Sequence, residues 1–313
     1  MKQSSKQSGL RFYVSIDVGG TAIKYGILDE GGAFIKKASC PTEAKEGGKR
    51  ILSQLIEIVE NAGQSIAEIN SQGMLSGICI STAGMVDCKQ GKILYSGELI
   101  PDYTGTEIKK TLENKFHVPC SVENDVNCAG LAELVSGAAK GFRNVLCLTV
   151  GTGIGGCIIL NGEVYHGHGN CAGEVGYMYM DGSDFQTLGA GSIMSKKIAE
   201  QRQDIPENWN GRRIFEAAKQ GDAECSRVID EMAEILGKGL ANICYVLNPQ
   251  IVVLGGGVME QREMMEPLIK DKLEKYLHLR PIVRNTTRIA FAEHGNDAGM
   301  LGAFYHFQKD HHK

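Results

Sequence analysis

Two glycine-rich strings, each set between apolar runs, constrain this chain more than any other feature. The first reads Asp-Val-Gly-Gly-Thr-Ala-Ile-Lys over 17–24, and the second reads Val-Gly-Thr-Gly-Ile-Gly-Gly over 150–156. Because an apolar run precedes and follows each string, both are predicted to be tight turns of β-hairpins. Glycine lets backbone N–H groups converge on an anion without a Cβ in the way. Two such turns predict two lobes that close on the phosphates of one nucleotide.

Length and composition indicate a soluble enzyme with two domains. The chain has 313 residues, of which 42% are apolar and 22% are charged, and its net charge is −4. A net negative charge does not attract nucleic acid or an acidic membrane electrostatically, so neither is expected as a partner. Glycine, with 40 residues, is well above its usual share of about 7%. Its clustering beside strands favours turns that meet a ligand, and loop-rich β structure is the alternative.

The cysteines and the polar start of the chain indicate a reduced, cytoplasmic setting. Most of the ten cysteines lie inside apolar runs, where a thiol behaves as a small core residue, and no Cys-x-x-Cys pair supports a zinc or redox motif. The first nine residues are polar, which is not the pattern of a signal peptide. No apolar run approaches the ~18 residues that a membrane span needs.

Apolar periodicity predicts strands alternating with helices. The longest helix is predicted over 222–247, before the Asn-Pro pair that ends it. A short buried strand over 77–81 runs into Thr-Ala-Gly. This pattern places Gly84 at the carboxyl end of a strand, which is the usual ligand edge of an α/β sheet.

The first glycine string carries the groups that phosphoryl transfer needs. Gly19 and Gly20 allow close backbone approach, and Thr21 adds a hydroxyl donor. Lys24 could reach a phosphate, and Asp17 could hold a water of a Mg²⁺ shell. The alternatives are a strand-end cap for Asp17 and a solvated strand position for Lys24.

The second string repeats this arrangement. Thr152 adds a side-chain donor between two glycines, and the recurrence of strand, turn and strand favours phosphate binding over an ordinary strand end. A third glycine run follows an apolar strand, where backbone could lie against a nucleotide. The residues assigned to the nucleotide in these two places are Gly151, Thr152, Gly153, Gly255, Gly256 and Gly257.

Three polar residues are candidates for the acceptor side. Asp125 follows a short strand and begins an apolar-faced helix, so it is the candidate base, with an ordinary helix cap as the alternative. Asn124 can both donate to and accept from a sugar hydroxyl. Glu174 lies in a Gly-Glu-Val-Gly loop, where it is predicted to bind hydroxyls, and a solvated loop charge is the alternative.

The chain resembles the ROK family of sugar kinases and sugar-responsive repressors, within the actin-like ATPase superfamily. The likeness covers about 12–307. The motifs that carry it occur in family order: the first phosphate motif at 17–24, Glu-Asn-Asp-Val-Asn-Cys-Ala at 123–129, the second phosphate motif at 148–156, the Gly-Glu segment at 172–176 and the adenosine-side turn at 255–257.

This resemblance implies an ATP-dependent sugar kinase with an α/β fold of two lobes. Each lobe would be built on a ribonuclease-H-like sheet, with ATP and sugar bound in the interlobe cleft. The expected lobes are 1–120 together with a C-terminal helix at 297–313, and 121–296. The resemblance also implies that Asn124 binds the sugar, that Asp125 accepts the hydroxyl proton, and that the protein forms a homodimer.

Two departures from the family pattern affect metal and substrate. Tyr177 stands where most members have a His that binds zinc and the sugar, and 178–192 lacks the three Cys that follow it there. Since a tetrahedral site needs four ligands, no zinc is expected. Gly84 follows Thr-Ala where the family usually has Pro-Gly.

The Tyr177 ring offers a flat apolar face that could tolerate a substituent at C1 of the sugar. The resemblance includes zinc-free relatives that phosphorylate the 6-hydroxyl of β-glucosides, which implies this hydroxyl as the preferred acceptor. That of a simple hexose is the alternative. The rival function is a sugar-sensing regulator. The short segment before the first strand is too small for a DNA-reading helix pair, which leaves a non-catalytic sensor without a DNA-binding domain.

Overall fold

A computed structural model of the chain describes residues 10–97, 100–278 and 287–311. The polar start at 1–9 and the last two positions of the predicted C-terminal segment lie outside these ranges. The chain divides into two compact units, Met1–Ala132 with Asn296–Lys313, and Glu133–Gly295. In the described ranges, no helix combines the length and apolar character needed to cross a membrane.

The strands in chain order are β1 (Arg11–Val18), β2 (Ala22–Leu28), β3 (Phe34–Pro41), β4 (Met74–Thr82), β5 (Met85–Asp87), β6 (Lys92–Tyr95), β7 (Cys120–Asn124), β8 (Val145–Val150), β9 (Ile154–Leu160), β10 (Glu163–Val164), β11 (Tyr179–Met180), β12 (Ser183–Asp184), β13 (Ile251–Gly255) and β14 (Arg288–Phe291). The α-helices are α1 (Gly48–Ile69), α2 (Ile108–Phe116), α3 (Asp125–Ser136), α4 (Phe185–Gly189), α5 (Gly191–Arg202), α6 (Gly211–Lys219), α7 (Ala223–Leu247), α8 (Arg262–Tyr276) and α9 (Ala298–His311).

The first unit is built on a five-stranded sheet in the order β3-β2-β1-β4-β7. β1 pairs antiparallel with β2 and parallel with β4, and β4 pairs parallel with β7. Apolar residues of α1 join one buried cluster with β1 and β4, and those of α9 form a second cluster with Tyr13 and Cys79. Neighbouring residues of a strand face opposite sides of the sheet, so both faces of this sheet are covered.

The second unit repeats this layout. Its sheet has the order β10-β9-β8-β13-β14, with an antiparallel β8–β9 hairpin and parallel pairing of β13 with β8 and β14. The predicted long helix is confirmed as α7. It begins after Asp222, whose side chain accepts a hydrogen bond from the Cys225 N–H at 3.0 Å and so caps the first turn.

The first unit extends beyond the predicted boundary after residue 120. β7 begins at that point and pairs along its length with β4, from Ile78–Cys120 to Thr82–Asn124. β7 therefore completes the sheet of the first unit, and the compact unit ends within α3 at Ala132. Sequence alone does not show which strand a parallel strand pairs with, since the partner can lie anywhere along the chain.

Candidate active site

Four strands of the first unit bring polar residues into one row. Lys24 of β2 pairs with Asp17 of β1, Asp17 pairs with Ser81 of β4, and Ser81 pairs with Glu123 of β7. Paired residues on neighbouring strands share a face of the sheet. The row lies at the carboxyl ends of the parallel strands, the edge where open α/β sheets bind ligands.

The Asp17 carboxylate is held rigidly within this row. The Ser81 hydroxyl donates to its Oδ1 at 2.6 Å. A Cβ built on Gly299, in the first turn of α9, would lie 2.4 Å from the Asp17 Cγ, so this helix can approach only because residue 299 is glycine. Burial raises the pKa of Asp17, while the Ser81 hydrogen bond and the charge of Lys24 oppose the rise.

The first glycine string forms the tip of the β1–β2 hairpin, as predicted. The Gly19 N–H donates to the Ala22 carbonyl at 3.2 Å and closes the turn. Thr42 holds it from the side, since its hydroxyl donates to the Gly19 carbonyl at 2.7 Å and its N–H donates to the Thr21 carbonyl at 2.9 Å. Gly20 and Thr21 are exposed. Lys24 donates to the Asn296 side chain at 2.9 Å.

Asn124 and Asp125 lie at the junction of β7 and α3, as the sequence predicts. The Asn124 Oδ1 accepts from the N–H groups of Val126 at 2.9 Å and Asn127 at 3.1 Å, so this side chain caps the helix. The Asn124 Nδ2 donates to the Gly84 carbonyl and to Asp125 Oδ1, both at 3.0 Å. These contacts occupy both donors and both acceptor positions of the amide. Sugar binding by Asn124 stays a prediction.

The Asp125 carboxylate has a defined orientation. Its Oδ1 accepts from Asn124 Nδ2 and from the Val126 N–H at 2.9 Å. Asp125 is half-buried at the start of α3, where the helix N-terminus favours a negative charge. These contacts agree with the alternative of a helix cap, and the role of Asp125 as a base stays a prediction.

The backbone conformation at position 84 requires glycine. Its φ is +99°, and a Cβ there would lie 2.8 Å from the Tyr95 carbonyl. L residues rarely adopt this region. The resulting turn directs the Gly84 carbonyl to Asn124, so Gly84 contributes to the same cluster as Asn124 and Asp125.

In the second unit, the second glycine string forms the β8–β9 turn. The Gly151 N–H donates to the Gly153 carbonyl at 2.9 Å. The start of α5 supports this turn, since the Gly191 N–H donates to the Gly151 carbonyl and the Ser192 hydroxyl donates to the Thr152 carbonyl, both at 2.8 Å. The turn is thus fixed by a helix N-terminus that the sequence reading did not assign to the site.

The third glycine run lies beside this turn. Gly255 pairs with Thr149 across β13 and β8. Gly256 has a φ of +89°, and a Cβ there would lie 2.5 Å from the Val150 carbonyl, so only glycine fits. A Cβ on Gly257 would meet no heavy atom of the described chain within 4 Å.

A cavity of about 570 Å³ opens next to these two glycine turns. This volume is within the range of small-molecule sites. Gly151, Thr152 and Gly257 line it, together with residues that the sequence reading missed. Two of the latter, Lys196 and Arg212, are cationic and suit anionic groups of a ligand, whereas Glu207 and Glu260 are acidic. The other polar residues of the lining are Ser192, Ser195, Asn210 and Gln261. They lie on α5, on or just before α6, and in or next to the 3₁₀ turns Pro206–Asn208 and Gly257–Glu260, and their sequence spacing shows no motif.

Glu174 and Tyr177 lie on a segment that packs against β9. A Cβ on Gly173 would lie 2.4 Å from the Gly156 carbonyl, and one on Gly176 would lie 2.3 Å from the Ile154 carbonyl. The flanking glycines are therefore needed for packing. The Glu174 residue as a whole is exposed, but its carboxyl group is partly shielded from water by the protein, and this desolvation raises its pKa. Tyr177 is 61% exposed.

The structure thus gathers the predicted residues into two clusters, one in each unit. The first contains Asp17, Gly84, Asn124 and Asp125 at the edge of the first sheet. The second contains the two glycine turns and the cavity, with Glu174 and Tyr177 on the adjoining segment. Glu123 and Ser81 belong to the first cluster although the sequence reading gave neither a role, and their strand-end positions were the available signal.

Comparison with known proteins places the chain in a family. The model of the ROK family matches residues 13–310. A β-glucoside kinase of Klebsiella pneumoniae is 32% identical over 94% of this chain and 95% of that protein. A glucokinase of Halalkalibacterium halodurans is 30% identical over 93% of both chains. A ROK family glucokinase from Streptomyces griseus, solved in complex with glucose and AMPPNP, superposes with a TM-score of 0.78 at 26% identity, over 93% of this chain and 97% of its own.

These similarities extend over nearly the whole length of each protein, and the solved relative has the same α/β architecture. The fold is therefore the actin-like ATPase fold expected from the sequence. The family match covers both glycine turns and both site clusters. This chain belongs to the ROK family.

Proposed function

We propose that this protein is a sugar kinase that transfers the γ-phosphate of ATP to a sugar hydroxyl, with Asp125 as the general base. Its relatives include a glucokinase and a β-glucoside kinase. The preferred acceptor is the 6-hydroxyl of a hexose or β-glucoside. We also expect the protein to act in the cytoplasm and to form a homodimer.

The observation that carries this proposal is the fixed Asp125 carboxylate at the edge of the first sheet. Two hydrogen bonds to Oδ1 set its orientation before substrate arrives. A carboxylate oriented in this way can accept the proton of an attacking hydroxyl with little reorganisation, and such positioned bases contribute about 10²–10⁴-fold. Glu174 is a proposed ligand of the sugar ring. Asn124 is the other, and its amide would have to exchange one of its present hydrogen bonds for a sugar hydroxyl.

The cavity of the second unit is the proposed nucleotide site. Its volume suits an adenosine, and Gly151 and Thr152 line it, so the Thr152 hydroxyl beside Gly151 is a proposed donor to phosphate oxygens. Gly19, Gly20, Thr21 and Lys24 are the proposed phosphate contacts from the first unit.

Asp17 fits the requirements of a hydrated Mg²⁺. This ion keeps several waters and needs one or two carboxylates in addition to substrate phosphates. The Asp17 carboxylate and the adjacent Ser81 hydroxyl supply oxygen atoms only, the donor type that Mg²⁺ prefers. When bound, Mg²⁺ would neutralise charge on the β- and γ-phosphates. Asp17 would hold one of its waters and fix the ion relative to β1.

The proposal is tested by replacing Asp125 with Asn in a coupled ADP-release assay. The panel contains glucose, N-acetylmannosamine, cellobiose and another β-glucoside. Asn keeps an oxygen for the two hydrogen bonds of Oδ1 but cannot accept the proton. We expect wild-type turnover on at least one sugar, and a kcat at least about 10²-fold lower for Asp125→Asn.

Asp29→Asn is the matched control. Asp29 also accepts two backbone hydrogen bonds, from the N–H groups of Gly31 and Ala33 at 2.9 Å, but it lies in the β2–β3 turn away from the glycine tip. The turnover of the Asp29→Asn variant should equal that of the wild type. Turnover by Asp125→Asn close to the wild type would contradict the base assignment. Sugar binding by the wild type without turnover on any sugar would favour a non-catalytic sensor.

A further inference from the structure

We propose that Glu123 is a positioning residue for Asp125 and that the C-terminal helix α9 supports it. The inference rests on the proposed role of Asp125 as base. Glu123 precedes the Asn-Asp pair and ends the polar row of the first sheet. It is completely buried, with 0% of its surface exposed, as is Ser81, whereas Asp17 and Lys24 are only half-buried.

The Glu123 carboxylate binds both ends of the first turn of α3. Its Oε1 accepts from the Asn124 N–H at 2.7 Å and from the Asn127 side-chain amide at 3.0 Å. A buried carboxylate destabilises a fold unless such hydrogen bonds offset its desolvation. The bond from the Asn124 N–H acts on the backbone at the point where the strand becomes the helix that carries the base, and the second bond holds the Asn127 side chain of that helix.

A short chain of contacts connects this carboxylate with the base. Glu123 fixes the backbone of Asn124, and the Asn124 side chain then caps α3 and donates to Asp125 Oδ1 at 3.0 Å. Moving the Asn124 backbone would therefore move both the amide donor and the helix start. Misplacement of a catalytic group by about 1 Å can cost about 10²-fold in rate.

The opposite oxygen of Glu123 faces α9. His306 of this helix is buried, and its Nδ1 lies 3.8 Å from Glu123 Oε2, while its Nε2 lies 3.4 Å from Asp310 Oδ2. The Cys88 thiol also hydrogen-bonds to Glu123, and burial, with this carboxylate, raises its pKa. Glu123 is thus held from three sides within the first unit, by Asn127 of α3, His306 of α9 and Cys88 in the turn after β5.

Three variants separate placement of the carboxylate from its charge. Glu123→Gln keeps the length and an oxygen acceptor for the Asn124 N–H but loses the charge. Glu123→Asp keeps the charge but is one methylene shorter. Glu123→Ala removes both. We expect Glu123→Gln to keep the highest kcat of the three variants, Glu123→Asp to have a lower one and Glu123→Ala the lowest, about 10²-fold below the wild type. The KM for ATP should be unchanged in all three.

A double-mutant cycle tests whether Glu123 acts through Asp125. In the Asp125→Asn background, Glu123→Ala should lower kcat no further, because the positioned base is already absent.

Glu133→Gln is the matched control. Glu133 is a buried glutamate of α3, the helix that begins at Asp125. Its carboxylate also accepts backbone hydrogen bonds, from the Glu293 and His294 N–H groups at 2.9 and 3.0 Å. This variant should lower thermal stability and leave kcat unchanged.

Several outcomes would overturn the inference. Independent losses that multiply in the double variant would show that Glu123 does not act through the base. A higher kcat for Glu123→Asp than for Glu123→Gln would assign the effect to charge, and this comparison decides the matter even if Glu123→Ala fails to fold. Full kcat in Glu123→Ala, with Asp125→Asn inactive, would refute the positioning role and keep the proposed function. An active Asp125→Asn would instead refute the proposed function itself.

Discussion

At the scale of single residues, glycines in the same run have different physical roles. Gly256 adopts a φ of +89° directly against the Val150 backbone, so an added Cβ has no space. Its neighbour Gly257 lines the cavity of the second unit, and a Cβ there would be clear of the described chain. Glycine at 256 is therefore a requirement of the fold, whereas glycine at 257 leaves space for a ligand.

Enlarging residue 257 should consequently impair nucleotide binding without unfolding the protein. In the series Gly257→Ala, Gly257→Val and Gly257→Leu, we expect the KM for ATP to rise with side-chain size, by about 10-fold or more for Leu. Steady-state kinetics with ATP varied at saturating sugar would measure it. Gly63→Leu is the control, since Gly63 of α1 also has open space at its Cβ. A KM that is constant across the series would contradict the assignment of the cavity to ATP.

At the scale of elements, charged groups link the two longest helices of the second unit. Glu234 of α7 accepts from Lys275 of α8 at 2.6 Å and from the Tyr276 hydroxyl, and it lies 3.5 Å from Lys272. The Lys275 and Tyr276 hydrogen bonds lower the pKa of Glu234 from 4.5 to about 2. The charged form is thus favoured in the folded protein.

This shift predicts a stability difference that depends on pH. A carboxyl group with a lowered folded pKa stabilises the fold above its unfolded pKa, and this contribution is lost as pH falls through the folded value. Glu234→Gln should therefore melt below the wild type at neutral pH, and the difference should close as pH falls from 4.5 to about 2. Calorimetry over this range would measure it. A Glu234→Gln difference that stays constant with pH would contradict the linkage.

At the scale of the whole molecule, the segment after Tyr177 is held by apolar packing. It folds as the β11–β12 pair followed by α4, and Phe185 at the start of α4 is completely buried. This ring lies so close to α7 that a Cβ on Gly239 would be 2.3 Å from its Cζ. Met180 is also buried. Buried apolar side chains thus hold the segment that follows Tyr177.

The protein should accordingly need no structural zinc. We expect elemental analysis of protein purified without added metal to find far less than one zinc per chain, and the melting temperature to be the same with and without EDTA. Phe185→Ala should lower the melting temperature, because truncating a buried Phe costs about 3–5 kcal/mol. About one zinc per chain, or a lower melting temperature in EDTA, would show that the segment relies on a metal.

The sequence by itself determined the features that depend on local chemistry. Glycine runs between apolar strands specify tight turns because only glycine tolerates their backbone, and the hairpin tips at 19–21 and 151–153 are where this reasoning places them. Helix α7 was predictable for a similar reason, since its apolar spacing and end signals are local. Asp125 at a strand–helix junction followed from the same patterns.

Tertiary structure alone decided what depends on long-range contacts. The pairing of β7 with β4 put Glu123 beside Ser81 and moved the boundary of the first unit. The packing of α9 brought His306 to Glu123, and the approach of α5 and α6 to the glycine turns formed the cavity. No local sequence pattern predicts these contacts. The free energy gained by burying apolar surface depends on which surfaces meet in space, and the residues that meet can be far apart in the sequence.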